Sequence, residues 1–150
     1  MRIQNFIDVI EEWAPTAYAE DFDNVGLIIG NPELECKGVL VTHDTLENVV
    51  EECTKKDFNL IVSFHPIIFS GLKKLTQSNY VERVVSKAIK NDICVYAIHT
   101  ARDNHRFGVS HTLAENLGLH NIEVLSPKEK TIRKLTCLLY TSPSPRDPIG

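Results

Sequence analysis

Three histidines, His43, His65 and His99, each stand at the end of a short apolar run, and the last opens His99-Thr100-Ala101-Arg102-Asp103. Imidazole nitrogens and a carboxylate oxygen are borderline and hard donors, a set that suits Zn, Fe, Mn, Co or Ni. The sharpest ligand set in the chain is therefore His65, His99 and Asp103. A divalent ion held there with open positions would lower the pKa of a bound water toward neutrality. The plain alternative is structural: the imidazoles bond to backbone and Asp103 caps the following loop. Spacing alone leaves both readings open.

Other polar residues rank below these. His43 is a third edge residue or a strand-end partner for a neighbouring carbonyl, with the second favoured. Asp44 precedes Glu47 by three residues, which imitates a capping box and makes Asp44 the expected N-cap of a helix. His105 is near enough to contribute but is expected at the surface, as are His111 and His120. Asp23 and Asn24 read as turn formers, with support of a metal ligand as the lesser reading. No Ser-His-Asp arrangement, nucleophile elbow or base-flanked cysteine stands out.

The elements that position these residues follow from periodicity. Ile3, Phe6, Ile7, Ile10 and Trp13 repeat at helical spacing before Pro15. Asp21 to Pro32 reads as a turn, a short strand and a second turn, with Gly26 and Gly30 as strand-end glycines and no phosphate loop. Gly38 to Thr42 is a strand ending at His43, and Leu46, Val49, Val50 and Cys53 form a helical stripe. Asn59 to Ser63 is an apolar, β-branched strand that must stop near His65, because Pro66 cannot donate a ladder bond. Val81, Val84, Val85, Ala88 and Ile89 predict another helix, and Ile93 to Ile98 a strand ending at His99. Residues 100–108 read as a loop, Val109 to Leu117 as a helix stopped by Gly118, and Ile122 to Leu125 and Ile132 to Leu139 as further strands. This β-α-β-α-β order is that of an α/β fold with a mostly parallel sheet and helices on both faces. Right-handed crossovers place the strand C-termini, and with them the three histidines, on one edge.

The chain of 150 residues suffices for one domain with a real core. Hydrophobic residues at 43% and charged residues at 24% are ordinary for a globular protein. A net charge of -4 argues against a general nucleic-acid or acidic-membrane binder. No stretch has the length of a membrane span and the first residues do not resemble a secretory signal. The cysteines, Cys36, Cys53, Cys94 and Cys137, form no C-x-x-C pair and fit reduced thiols, so a cytoplasmic location is expected.

Asp23-Asn24-Val25-Gly26-Leu27, Ser63-Phe64-His65-Pro66-Ile67-Ile68-Phe69 and His99-Thr100-x-x-Asp103, followed by Gly108-Val109 and Leu117-Gly118-Leu119, together resemble the N-terminal part of the NGG-interacting-factor-three-like family, widely labelled GTP cyclohydrolase 1 type 2 homologs. The resemblance runs from about Ile3 to about Thr136. It implies an α/β protein with two divalent metal ions in a cleft, assembled as a toroidal homohexamer, acting on a small molecule such as GTP or a related nucleotide. His65 matches the second position of the family's His-His pair, and His99 and Asp103 match its H-x-x-x-D ligands. Phe64 stands where many members have the first histidine. The remaining family ligands, a histidine and a glutamate, belong to a C-terminal part.

The end of the chain departs from the family. Residues 138–150 are rich in proline and serine and resemble translated library adapter, so residues 1–137 are expected to be a truncated N-terminal α/β metal-binding domain with a foreign tail. Three functions follow: a metal-dependent hydrolase, a non-catalytic metal-binding regulator or assembly protein, and an α/β domain with structural histidines. For the chain alone, weak or single-metal binding and no cyclohydrolase turnover are expected.

Overall fold

A computed structural model describes residues 1–127. The first helix, α1 (Ile3–Trp13), is followed by a single 3-10 turn at Thr16–Tyr18. Then come β1 (Gly26–Ile29), β2 (Val39–Thr42), α2 (Glu47–Lys55), β3 (Leu60–Ser63), α3 (Tyr80–Lys90) and β4 (Cys94–Ala97). Two short helices, α4 (His99–Asp103) and α5 (Val109–Asn116), complete the described part.

The sheet order is β1-β4-β3-β2. β2, β3 and β4 run parallel in continuous register, and β1 pairs antiparallel with β4. The alternation of side chains across β3 and β4 sorts the core into two layers. Ile61 and Val95 face Val50 and Cys53 of α2 and Val84, Val85 and Ala88 of α3. Leu60, Val62, Cys94 and Tyr96 face Ile3 and Ile7 of α1. β3 and β4 are buried at every position, as expected of central parallel strands covered on both faces. The mostly parallel α/β architecture expected from the sequence is the observed one.

Three local expectations are corrected. Residues 100–103, expected as loop, are helical in a turn that His99 opens, because Asn104 and the 3-10 turn hold them: the Asn104 amide donates to the Tyr18 carbonyl at 2.9 Å and to Glu20 Oε1 at 2.6 Å. Asp44 is not the N-cap of α2; that position is Leu46, in extended conformation, and the Asp44 carboxylate is taken up elsewhere. Ile122 to Leu125 form no strand; this segment lies exposed, with no ladder partner among the described residues to satisfy its backbone in a sheet. The expected strand from Ile132 to Leu139 and the boundary at residue 137 lie outside the described residues. At α5 the expectation holds in detail: Gly118, at φ 71°, donates to the Glu115 carbonyl at 2.9 Å, and Leu119 to that of Ala114 at 3.0 Å.

No helix among the described residues is long and apolar enough to cross a membrane. Cys53 and Cys94 are buried free thiols and fill the core. Burial pushes the Cys53 thiol up to about 11.

Candidate metal centre

The parallel ladder does not stop where the strands do. The Phe64 amide donates to the Thr42 carbonyl at 3.1 Å and the His65 amide to that of His43 at 3.0 Å. Across the other junction, Ile98 donates to Ser63 at 3.1 Å and His99 to Phe64 at 2.9 Å. These bonds carry the register past β2, β3 and β4 and set the three histidines side by side. The buried Ser63 hydroxyl donates to the His65 carbonyl at 2.9 Å and fixes the turn at which Pro66 ends the strand.

The rings meet there. His43 and His65 lie 4.5 Å apart between centroids, and His65 and His99 5.3 Å apart. Phe64 stacks on His43 at 5.3 Å and presents its edge geometry to His99 at 5.6 Å. An aromatic ring thus pads one side of the imidazole row.

Each histidine is paired with a carboxylate rather than with backbone. Asp44 spans two rings: His65 Nδ1 lies 2.7 Å from Oδ1 and His43 Nδ1 3.2 Å from Oδ2. The bonds with His65 first, then His43, hold the Asp44 carboxyl below its ordinary pKa. His99 Nδ1 lies 2.9 Å from both oxygens of Asp23, whose side chain has no exposed surface. Burial pushes the Asp23 carboxyl up, but bonds from His99, Thr100 and the amides of Asn24 and Thr100 outweigh it and leave it below the usual carboxylate range.

His43, Asp44 and His65 form the compact donor group: one ligand atom from each lies within 4.8 Å of the others. His65 and His99 are brought together as expected, and Asp103 ends the same short helix that His99 begins. Asp103 also lines a cavity of about 670 Å³ with Glu20, His105, Phe107 and His111, whose lining includes none of His43, Asp44, His65 and His99. His65 therefore belongs both to the set read from the sequence and to the group gathered at the end of β2. Neutral imidazoles and carboxylates are the donors that borderline divalent ions take, so the residues present fit such an ion. The Thr45 hydroxyl, next in the chain after Asp44 and buried, has no hydrogen-bond partner among the described residues.

The Asp23-Asn24 turn, read first as a turn former, makes contacts of the kind its lesser reading allowed. Asn24 donates to the Ile68 carbonyl at 2.6 Å while Asp23 engages His99, so one turn braces both histidine-bearing loops. His105 is half-buried, not exposed; burial first and the Arg102 charge second push its imidazole pKa down. His111 is also half-buried, 3.4 Å from Glu115, whereas His120 is exposed. Gly108 closes the loop after α4 where a Cβ would come within 2.1 Å of the Arg102 carbonyl oxygen. Arg102 itself lies over the Trp13 ring at 3.9 Å and anchors α4 to the end of α1.

The parallel strands of this α/β sheet bring histidines to one edge, where His43, Asp44 and His65 could hold a metal ion, and sequence relatives identify the family. The family model described as Duf34/NIF3 (NGG1p interacting factor 3) matches residues 1–144, and the chain belongs to that family. It is 42% identical over 120 residues to NIF3-like protein 1 of Drosophila melanogaster, covering 79% of this chain and 41% of that protein. It is 42% identical over 124 residues to a Bacillus subtilis protein named GTP cyclohydrolase 1 type 2 homolog, covering 83% of this chain and 33% of the relative. The chain thus spans about a third to two fifths of the length of these curated relatives. Among solved structures, a Bacillus cereus protein related to NIF3 superposes with a TM-score of 0.78 at 38% identity, over 85% of this chain and 36% of that one. Reduced HcgD from Methanocaldococcus jannaschii superposes with a TM-score of 0.74 at 28% identity, over 81% and 48%.

Proposed function

We propose that this chain supplies the N-terminal share of a dinuclear divalent-metal centre in a hydrolase that acts on a nucleotide-like small molecule, GTP or a relative of it. The observation that carries the reading is the gathering of His43, Asp44 and His65 within 4.8 Å at the edge that also holds His99. His65, His99 and Asp103 are the ligands proposed for it, with His43 and Asp44 completing the edge. A bound divalent ion would supply Lewis-acid polarisation and a water of lowered pKa. The protein would hold that ion between strand ends, pad it with Phe64, and admit substrate through the cavity beside Asp103. The name of the Bacillus subtilis relative supports GTP or a related nucleotide as substrate class.

Two-metal hydrolysis needs ions about 3.5–4 Å apart clamping the reacting oxygens. The rest of that ligand set belongs, in this reading, to the part of the longer relatives that the chain does not span. A cytoplasmic homohexamer is the proposed form of the longer protein. The chain alone is expected to bind one ion weakly and to leave GTP unchanged.

Metal content after purification tests the reading, measured on this chain, on His65→Ala and on Asp103→Ala, and on a full-length relative with the same substitutions. Loss of metal in either variant of the full-length protein, with metal-dependent GTP turnover in the parent, supports a hydrolase. Metal without turnover leaves a non-catalytic metal-binding protein. Equal metal in all three full-length forms would refute the site.

A further inference from the structure

The buried Asp23 carboxylate sits in a hydrogen-bond chain whose direction is fixed at one end. The Glu20 backbone amide donates to the Thr100 hydroxyl oxygen at 3.0 Å. A backbone N–H can only donate, so the Thr100 oxygen accepts there and its own proton is free to go to Asp23, its partner on the other side. The Asn24 amide donates to Asp23 Oδ1 at 2.8 Å and the Thr100 amide to Oδ2 at 3.2 Å. Every one of these neighbours is a donor, and they call for an ionised, acceptor-only carboxylate. His99 Nδ1, 2.9 Å from both oxygens, can then meet it only as N–H.

From this polarity we propose that Asp23, relayed by Thr100, is the positioning residue that locks His99 in the Nδ1–H tautomer and leaves Nε2 bare as a ligand for a divalent ion. Its use toward metal rests on the reading above; its geometry does not. A carboxylate behind an imidazole ligand fixes the ring and raises the basicity of the free nitrogen, and loss of such a partner costs about 10–100-fold in metal affinity. The backbone is bent to the same end. His99 has φ 20°, an unusual value for a residue with a side chain, and is held there by its amide bond to Phe64. The lock is specific to His99: the carboxylate partner of His65 and His43 is half-exposed, while the Asp23 side chain is wholly covered. Freed of Asp23, the ring could rotate or take the other tautomer.

Two readouts test this. Nitrogen-15 NMR of the metal-free chain near pH 8, above the ordinary imidazole pKa of about 6.5, reports the tautomer of each ring. His99 should show a protonated Nδ1 and an unprotonated Nε2, and Asp23→Asn, whose amide offers a donor to the same nitrogen, should lose that pattern. Zinc titration of a full-length relative carrying Asp23→Asn or Thr100→Val should then give affinity lowered by about 10–100-fold and by a smaller factor, respectively. An Nε2–H tautomer in the unmodified chain overturns the inference, as does Asp23→Asn with unchanged tautomer and unchanged zinc affinity. If Asp23→Asn does not fold, the unmodified chain and Thr100→Val decide. If zinc binds no better to the parent than to His65→Ala, the metal reading fails while the NMR result still judges the lock.

Discussion

Tyr96 is the place where a single atom joins α1 to the strand that leads to His99, and removing it gives a sharp test of the fold. The side chain is 1% exposed, and its hydroxyl donates to Glu11 Oε1 at 2.6 Å. Glu11 is busy at its other oxygen, where the amide and hydroxyl of Thr16 donate at 2.9 and 3.1 Å. Burial, then the bond to Glu11 and its charge, push the Tyr96 pKa far up, so the hydroxyl stays a donor at any working pH. Tyr96→Phe keeps the ring in its packing against Ile3 and Ile7 and deletes only the hydroxyl. A hydrogen bond to a charged acceptor contributes about 1.5–3 kcal/mol, and the acceptor here keeps other donors, so a loss of about 2 kcal/mol is expected. With an unfolding entropy of about 2.1 cal/mol/K per residue over the described part, that is a fall in Tm of roughly 7 °C. Calorimetry measures it, and Thr16→Val should add a smaller loss because it removes one of the donors on the same carboxylate. A Tyr96→Phe melting temperature within about 1 °C of the parent would refute the reasoning, since the bond would then be replaceable by water.

Three further outcomes follow from particular contacts. Glu82 accepts from the amides and hydroxyls of Thr76 and Ser78 and from the Asn79 side chain, and these bonds, led by the Ser78 amide, hold its carboxyl down at about 2. A depressed carboxylate stabilises the fold above its ordinary value of 4.5 and loses that contribution as pH falls through about 2, so the gap in Tm between the parent and Glu82→Gln should be full at pH 6 and shrink steadily toward pH 2. Gly108→Ala must move the backbone between α4 and α5 and should lower stability by about 1–3 kcal/mol in denaturant unfolding, with Gly71→Ala, which meets nothing within 4 Å, as the near-neutral control. Among the described cysteines, Cys53 and Cys94 should resist a thiol reagent in the folded chain and react only on unfolding, while the half-buried Cys36 reacts before them; mass spectrometry of the labelled peptides reads the order.

The strands and their histidine ends were legible because local rules decide them. Apolar β-branched runs, a proline at 66 and helical stripes at 46–53 and 81–89 need no knowledge of the rest of the chain. What escaped was decided by distant partners. Asp44 had the spacing of an N-cap, but His65, 21 residues away and one strand over, holds its carboxylate more closely than any amide of α2 does. Asp23 looked like a turn residue, and its meeting with His99, 76 residues on, exists only once β1 has paired antiparallel with β4. The helix at 99–103 is a single turn with no apolar stripe of its own. Its order comes from Asn104 gripping the 3-10 segment and Arg102 lying on Trp13, neither of which periodicity can register.

The two carboxylates at the histidine edge differ in what they can give up. Asp44 is 51% exposed, so its bonds to His43 and His65 compete with water, and such exposed pairs add little to stability. Exchanging those exposed bonds for bonds to an ion would cost little. Asp23 has no exposed surface and is committed to several donors at once, so no ion can draw it away without leaving Thr100 and two backbone amides unpaired in the interior. The edge is therefore built in two halves: a fixed imidazole at His99, set by buried bonds, and an adaptable pair at His43 and His65, set by exposed ones. An ion entering this edge would be expected to find its first fixed nitrogen on His99 and to recruit the others by rearrangement. On that argument His99→Ala should slow zinc association in stopped-flow mixing, whereas His43→Ala should leave the association rate nearly unchanged and act mainly on release. The reverse pattern would mean that the exposed pair, not the buried one, captures the ion.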